Sequence, residues 1–189
     1  MDYFKASQGN LKKIREHIRN ENYAAIVPLA NSIANWSAKI WPQDNYLDMI
    51  NKLSKTATFK NFLFILIGPI SEKGMINKIK HRNILNMYGK LSLAEIYLLL
   101  KDCKLFIGND SGLMHLAALA GTQTVGLFGP SSKIKYRPWG NQTLALSGKK
   151  SPEELMVKGN FNFRDDQCLM YDLKTDFVIN KILGFFKNG

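Results

Sequence analysis

At 189 residues the chain is long enough for one well-packed domain and too short for two ordinary ones. Hydrophobic residues at 46% and charged residues at 22% exclude a disordered chain, and the two cysteines, Cys103 and Cys168, lack the spacing of a disulfide framework or zinc site, which fits a reducing, cytoplasmic setting. The formal net charge of +11 favours anionic partners, although the basic residues are scattered, with short clusters at Lys12-Lys13 and Lys149-Lys150, and no nucleic-acid motif accompanies them.

Residues 1–22 read as a polar, basic helix with Leu11, Ile14 and Ile18 at helical spacing, either a linker packed on the domain or an unanchored lead-in. The start, Met1-Asp-Tyr-Phe-Lys5, has no signal-peptide apolar region, and no run reaches the roughly 20 apolar residues that span a bilayer. A soluble protein is expected. Tyr23 to Val27 is a short apolar strand, and residues 31–39 are loop-like around Trp36. A helical pattern runs from Trp41-Pro42 to Thr58, with Pro42 suited to its first turn and Tyr46, Ile50 and Leu53 on one face.

Phe62 to Ile67 is apolar throughout, as in a strand buried on both faces, and ends in Gly68-Pro69. A short helix is expected over Glu72 to Lys80 and a strand over Asn83 to Met87. Ser92 and Glu95 stand at capping-box spacing ahead of a helix Leu93 to Lys101. Leu105 to Ile107 is the next strand, expected to end at Gly108-Asn109. Asp110 and Ser111 then take N-cap positions of a helix that closes at Gly121. Val125 to Phe128 is a strand ending in Gly129-Pro130. A turn at Tyr136 to Gly140, a strand Gln142 to Leu146, an irregular stretch to Asp166 and a helix Asp176 to Phe186 complete the pattern. Strands alternating with helices imply a doubly wound, parallel α/β sheet with helices on both faces. Polar or Gly/Pro turns at the carboxyl ends of its strands would form one rim, where such sheets bind ligands.

The sharpest local signal on that rim is Gly108-Asn-Asp-Ser-Gly112. A helix start aims free N–H groups and the positive dipole end at an anion, Gly112 removes bulk, and Ser111 adds a donor; His115 follows one turn on. On spacing alone, an ordinary capped helix with a satisfied histidine explains the same residues equally well. Lys39 could neutralise phosphate or be a solvated lysine, and Glu72 could accept from a ribose diol or simply favour a helix start. His17 and His81 are expected in solvent, while Trp36, Trp41 and Trp139 are expected to pack rather than stack on a base.

Asn109-Asp-Ser-Gly-Leu-Met-His115, continuing to Gly129-Pro-Ser131 and followed by Arg137-Pro-Trp-Gly140, resembles the signature of glycosyltransferase family 9, the lipopolysaccharide heptosyltransferases. Lys39-Ile-Trp-Pro42, Ile67-Gly-Pro-Ile-Ser-Glu72, Gly89-Lys-Leu-Ser-Leu93 and the tail from Cys168 to Ile182 resemble further family elements in order, so the likeness covers residues 23 to 182. Gln123 departs from it, standing where a proline is common.

The resemblance implies a Rossmann-like domain over residues 23–189, equivalent to the C-terminal, donor-binding half of a GT-B glycosyltransferase. It implies transfer of heptose from ADP-heptose to the lipopolysaccharide inner core, at or near the inner membrane, with no metal and no other cofactor. Lys39 would contact the diphosphate, Glu72 the ribose and Leu91 the adenine side. Ser111 and Gly112 would bind phosphate, Asp110 would orient the sugar, and His115 would lie near the donor. The family's general-base aspartate belongs to an N-terminal acceptor domain that residues 1–22 cannot replace. No catalytic residue is therefore assigned, and a separately encoded acceptor domain is expected; the alternative is a non-catalytic nucleotide-sugar-binding remnant of a truncated or split enzyme.

Overall fold

A computed structural model describes residues 22–27, 37–68, 81–157 and 168–187, together with Lys12 and Glu16, both helical and exposed. The rest of the expected lead-in helix, and the whole of the expected helix at Glu72 to Lys80, lie outside the described residues.

The strands are β1 (Asn22–Val27), β2 (Phe62–Leu66), β3 (Ile84–Asn86), β4 (Leu105–Asn109), β5 (Gln123–Phe128) and β6 (Thr143–Ser147). They form one parallel sheet in the order β3-β2-β1-β4-β5-β6. The helices are α1 (Gln43–Leu53), α2 (Leu93–Asp102), α3 (Gly112–Leu119), α4 (Lys133–Tyr136), α5 (Pro152–Val157) and α6 (Thr175–Lys187). This is the Rossmann-like α/β architecture expected.

Alternation along each strand divides the core in two. Ala24, Ile26, Phe64, Leu66, Leu105, Ile107, Val125 and Leu127 face α1 and α6. Ala25, Ile65, Phe106 and Phe128 face α2 and α3. Covering both faces with helices explains why the strands read as continuous apolar runs.

Most element boundaries fall near their expected places, and the exceptions have local causes. Helix α1 stops at Leu53 rather than Thr58 because the Thr56 amide and hydroxyl both donate to the Leu53 carbonyl. Strand β4 runs on through Gly108 and Asn109, since both stay in register with Gly126 and Leu127 of β5. Helix α5 lies within the stretch expected to be irregular. Its signal was present: Ser151 and Glu154 form reciprocal hydrogen bonds of 2.7 and 3.1 Å around Pro152 at the first helical position. His81 is half-buried rather than in solvent, accepts the Asn83 amide at 3.2 Å, and has its pKa lowered by burial and then by Arg82. His17 and Trp36 lie outside the described residues.

Helix α2 begins with the expected capping box, Ser92 accepting the Glu95 amide at 3.3 Å while Glu95 accepts the Ser92 amide at 2.8 Å. Trp41 is fully buried, as expected of a packing residue, and meets Tyr46 edge-on at 4.9 Å. Its indole N–H donates to the Leu173 carbonyl at 2.8 Å. Trp139 is 86% exposed and packs on nothing that hides it, which corrects its assignment as a packing residue.

Two stability changes follow. Ser92→Ala removes a helix cap and should lower stability by about 1 kcal/mol, seen as a fall of roughly 2–4 °C in melting temperature. Trp41→Phe leaves the Leu173 carbonyl without its donor and should cost about 1–3 kcal/mol, measured as a lower denaturant midpoint at unchanged slope.

Candidate functional site

The strand order reverses direction between β1 and β4: the chain winds outward through β2 and β3 from one and through β5 and β6 from the other. Helix α1, which follows β1, and α3, which follows β4, lie on opposite faces, and such a switch point is where an open α/β sheet forms a crevice. The segment entering α1 borders it on one side and the β4–α3 turn on the other.

Lys39 reaches this crevice through contacts remote in sequence. It ends the short 3-10 turn Ser37–Lys39, which is clamped by residues 168–173. The Leu169 amide donates to the Ala38 carbonyl at 3.1 Å, the Cys168 thiol lies 3.3 Å from the Ile40 carbonyl, and Leu173 holds Trp41 as described. From the other side, the Trp41 amide donates to Asn109 Oδ1 at 3.1 Å in a buried contact. Within this frame Lys39 Nζ lies 3.0 Å from Asp110 Oδ2. Side-chain exposures of 21% and 11% make this a partly desolvated pair rather than a surface one.

Beside it, Ser111 occupies the N-cap of α3 in extended backbone geometry and makes no side-chain cap bond. Its hydroxyl is buried without a hydrogen-bond partner. An ordinary capped helix, one of the two readings of this turn, would have used that oxygen. The first N–H groups of a helix also have no intrahelical acceptors, so donors converge here. Gly112 is exposed, and a Cβ added to it would meet nothing within 4 Å among the described residues. Protein packing therefore gives no reason for glycine at this position.

Two further polar groups share the rim. Asn109 Nδ2 and Ser131 Oγ are buried and unpartnered, at the ends of β4 and β5. Neither was singled out from the sequence, where Asn109 read as a turn residue and Ser131 as one small residue after Gly129-Pro130. The available signal is a polar residue closing or following a buried apolar strand. Buried polar atoms without partners are uncommon and call for an explanation.

The remaining expected site residues are less closely gathered. Leu91 lies between β3 and α2, half-buried against the apolar cluster that α2 and α3 share. His115 is exposed on α3. Glu72 lies outside the described residues. Among the described residues no group of three or more His, Cys, Asp or Glu side chains could hold a metal, and no helix is long and apolar enough to cross a membrane. Burial pushes the Cys103 and Cys168 thiols up, so neither is an activated nucleophile.

With fold and site in place, known proteins give the comparison. The lipooligosaccharide heptosyltransferase 2 of Campylobacter jejuni is 28% identical over 159 residues, 81% of this chain and 48% of the relative. In structure, the Escherichia coli ADP-heptose lipopolysaccharide heptosyltransferase II superposes with a TM-score of 0.68 at 19% identity, over 96% of this chain and 52% of that one. Escherichia coli heptosyltransferase WaaC, solved with ADP-2-deoxy-2-fluoro heptose, gives 0.64 at 15% identity, over 99% and 50%. The chain thus spans about half the length of the relatives it matches. Residues 1–161 match glycosyltransferase family 9 (heptosyltransferase), and on that match the chain belongs to glycosyltransferase family 9.

Proposed function

We propose that this chain holds the nucleotide-sugar donor of a heptosyl transfer, with ADP-heptose as donor and the lipopolysaccharide inner core as acceptor. The observation that carries the reading is the β4–α3 turn, where the Ser111 hydroxyl is left unpartnered beside Lys39 at the sheet's switch point. The WaaC structure, with its ADP-sugar analogue, supports an ADP-linked donor.

Strand order supports a direction for the donor. Leu91 follows β3, Glu72 follows β2, and Ser111 with Gly112 follows β4. From β3 to β4 is three inter-strand steps of about 4.8 Å, or about 14 Å, the reach of an extended ADP. Adenine would lie by Leu91, ribose by Glu72 and diphosphate at the Lys39–Ser111–Gly112 corner. Asp110 and His115 would then lie near the sugar, with Ser131 of the adjoining strand end beyond them.

In the transfer, an acceptor hydroxyl attacks the anomeric carbon, its proton goes to a base, and the bond from that carbon to the diphosphate oxygen breaks. Lys39 and the α3 amides stabilise the charge gathering on the departing ADP, a task that needs no metal. The base would belong to an acceptor-binding domain, which we place outside residues 23–189. A non-catalytic, donor-binding role is the second reading, since no catalytic base is assigned among residues 23–189. Transfer to core acceptor on adding an acceptor domain would decide for the enzyme. Either protein would work on the cytoplasmic side of the inner membrane.

Isothermal titration with ADP and ADP-heptose tests the reading, and an absence of binding at millimolar ligand would end it. Lys39→Ala should weaken ADP about 10–100-fold, the weight of a hydrogen bond to a charged group. Lys39→Ala/Asp110→Asn should recover part of that loss, because the uncompensated carboxylate is removed. Gly112→Val should leave the melting temperature within about 2 °C yet weaken ADP at least tenfold, since the added carbons meet the ligand rather than the protein. Equal loss of stability and affinity would make Gly112 a structural residue.

A further inference from the structure

We infer that the α4 corner of the molecule is a docking surface for an anionic phospholipid bilayer. The inference goes beyond donor binding and stands whether or not ADP binds.

The short segment from Lys133 to Trp139 alternates two chemistries on one exposed corner. Ile134 is 82% exposed, Tyr136 53% and Trp139 86%. Lys133, Lys135 and Arg137, interleaved with them, are also exposed, and among the described residues none of the three forms a salt bridge. The facing acid is Glu153 at the start of α5, whose carboxyl pKa is lowered first by a backbone hydrogen bond, then by Ser151, and least by the charge of Lys135. Three cations against one acid leave the corner positive. Beneath it an open groove of about 460 Å³ runs along β6, between Lys133, Ile134 and Arg137 on one wall and Thr143, Leu144 and Ala145 on the other. The groove lies along β6, an edge strand two positions from β4, and none of its residues is among those assigned to the donor.

No contact among the described residues uses this arrangement. Folding leaves the apolar area of Ile134 and Trp139 in water, although an α4 of polar residues would cap β5 equally well. A bilayer surface suits all of it together. Tryptophan and tyrosine favour the headgroup level, an isoleucine and an aliphatic groove favour the acyl boundary, and lysine and arginine favour anionic headgroups. Single-stranded nucleic acid suits less of it: Tyr136 and Trp139 offer planes for a base, but the exposed Ile134 and the aliphatic Leu144 and Ala145 would have no use there.

Co-sedimentation with vesicles tests the inference. The full chain should bind vesicles of phosphatidylglycerol and phosphatidylcholine but not phosphatidylcholine alone, with a blue shift in tryptophan emission. Lys133→Gln/Arg137→Gln should weaken binding about twentyfold, at roughly fivefold per cation removed. Trp139→Ala should weaken it severalfold and abolish the emission shift. Lys101→Gln/Lys104→Gln, an exposed pair away from this corner, should leave binding within twofold. ADP affinity should be unchanged in all three variants. Failure to bind phosphatidylglycerol vesicles, equal loss in the Lys101/Lys104 pair, neutrality of Trp139→Ala, or preferential capture of a single-stranded oligonucleotide would each overturn it.

Discussion

The structure of the site depends on how Trp41 is held. Its amide is bound by Asn109 at the end of β4, its indole by the Leu173 carbonyl, and its ring is sealed against Tyr46. The two hydrogen bonds join segments distant in the chain, and both are buried, where hydrogen bonds are costly to lose. Lys39 is two residues away on the same short segment, so fixing Trp41 fixes where the ammonium group can reach. Met170 completes the clamp by filling the space over Gly129, where a Cβ would come within 2.5 Å of its Cγ. Residues 168–173 thereby couple the end of β5 to the approach to α1.

With that frame rigid, the electrostatics of the crevice become legible. Lys39 and Asp110 are paired at 3.0 Å with limited access to water, an arrangement in which removing one partner exposes the charge of the other. In the proposed donor complex a diphosphate would compete with Asp110 for Lys39, and Asp110 would then be left to accept hydroxyl groups from the sugar side. The unpartnered atoms of Ser111, Asn109 and Ser131 lie along the same rim. Of the four such side-chain atoms among the described residues, three lie at this rim and one, Gln123 Oε1, at the opposite end of β5.

Legibility in the sequence followed the range of the interactions. Ser92 and Glu95 are three residues apart, and their capping box could be read directly and is present. The same signal at Ser151 and Glu154 is weaker because the surrounding segment lacks an apolar stripe, and among the described side chains of α5 only Leu155 is buried. The β4–α3 turn was recognised from spacing, but spacing could not distinguish a capped Ser111 from one whose hydroxyl is free. Lys39 had no local mark at all. Its neighbour in space, Asp110, is 71 residues away, and only the resemblance to glycosyltransferase family 9 connected the two. Trp139 shows the opposite failure, for nothing in the composition of a Pro-Trp-Gly turn says which way its ring will face.

The sequence by itself determined what short-range chemistry can determine: alternating strands and helices, a parallel doubly wound sheet, the caps, and a helix start suited to an anion. These follow from periodicity and from hydrogen bonds spanning a few residues, which every copy of the pattern must satisfy in the same way. The tertiary structure decided the strand order that puts β1 beside β4, the clamp on Trp41 that carries Lys39 to Asp110, and the exposure of Ile134 and Trp139. Those depend on which surfaces meet when the whole chain is packed, a property of no single segment.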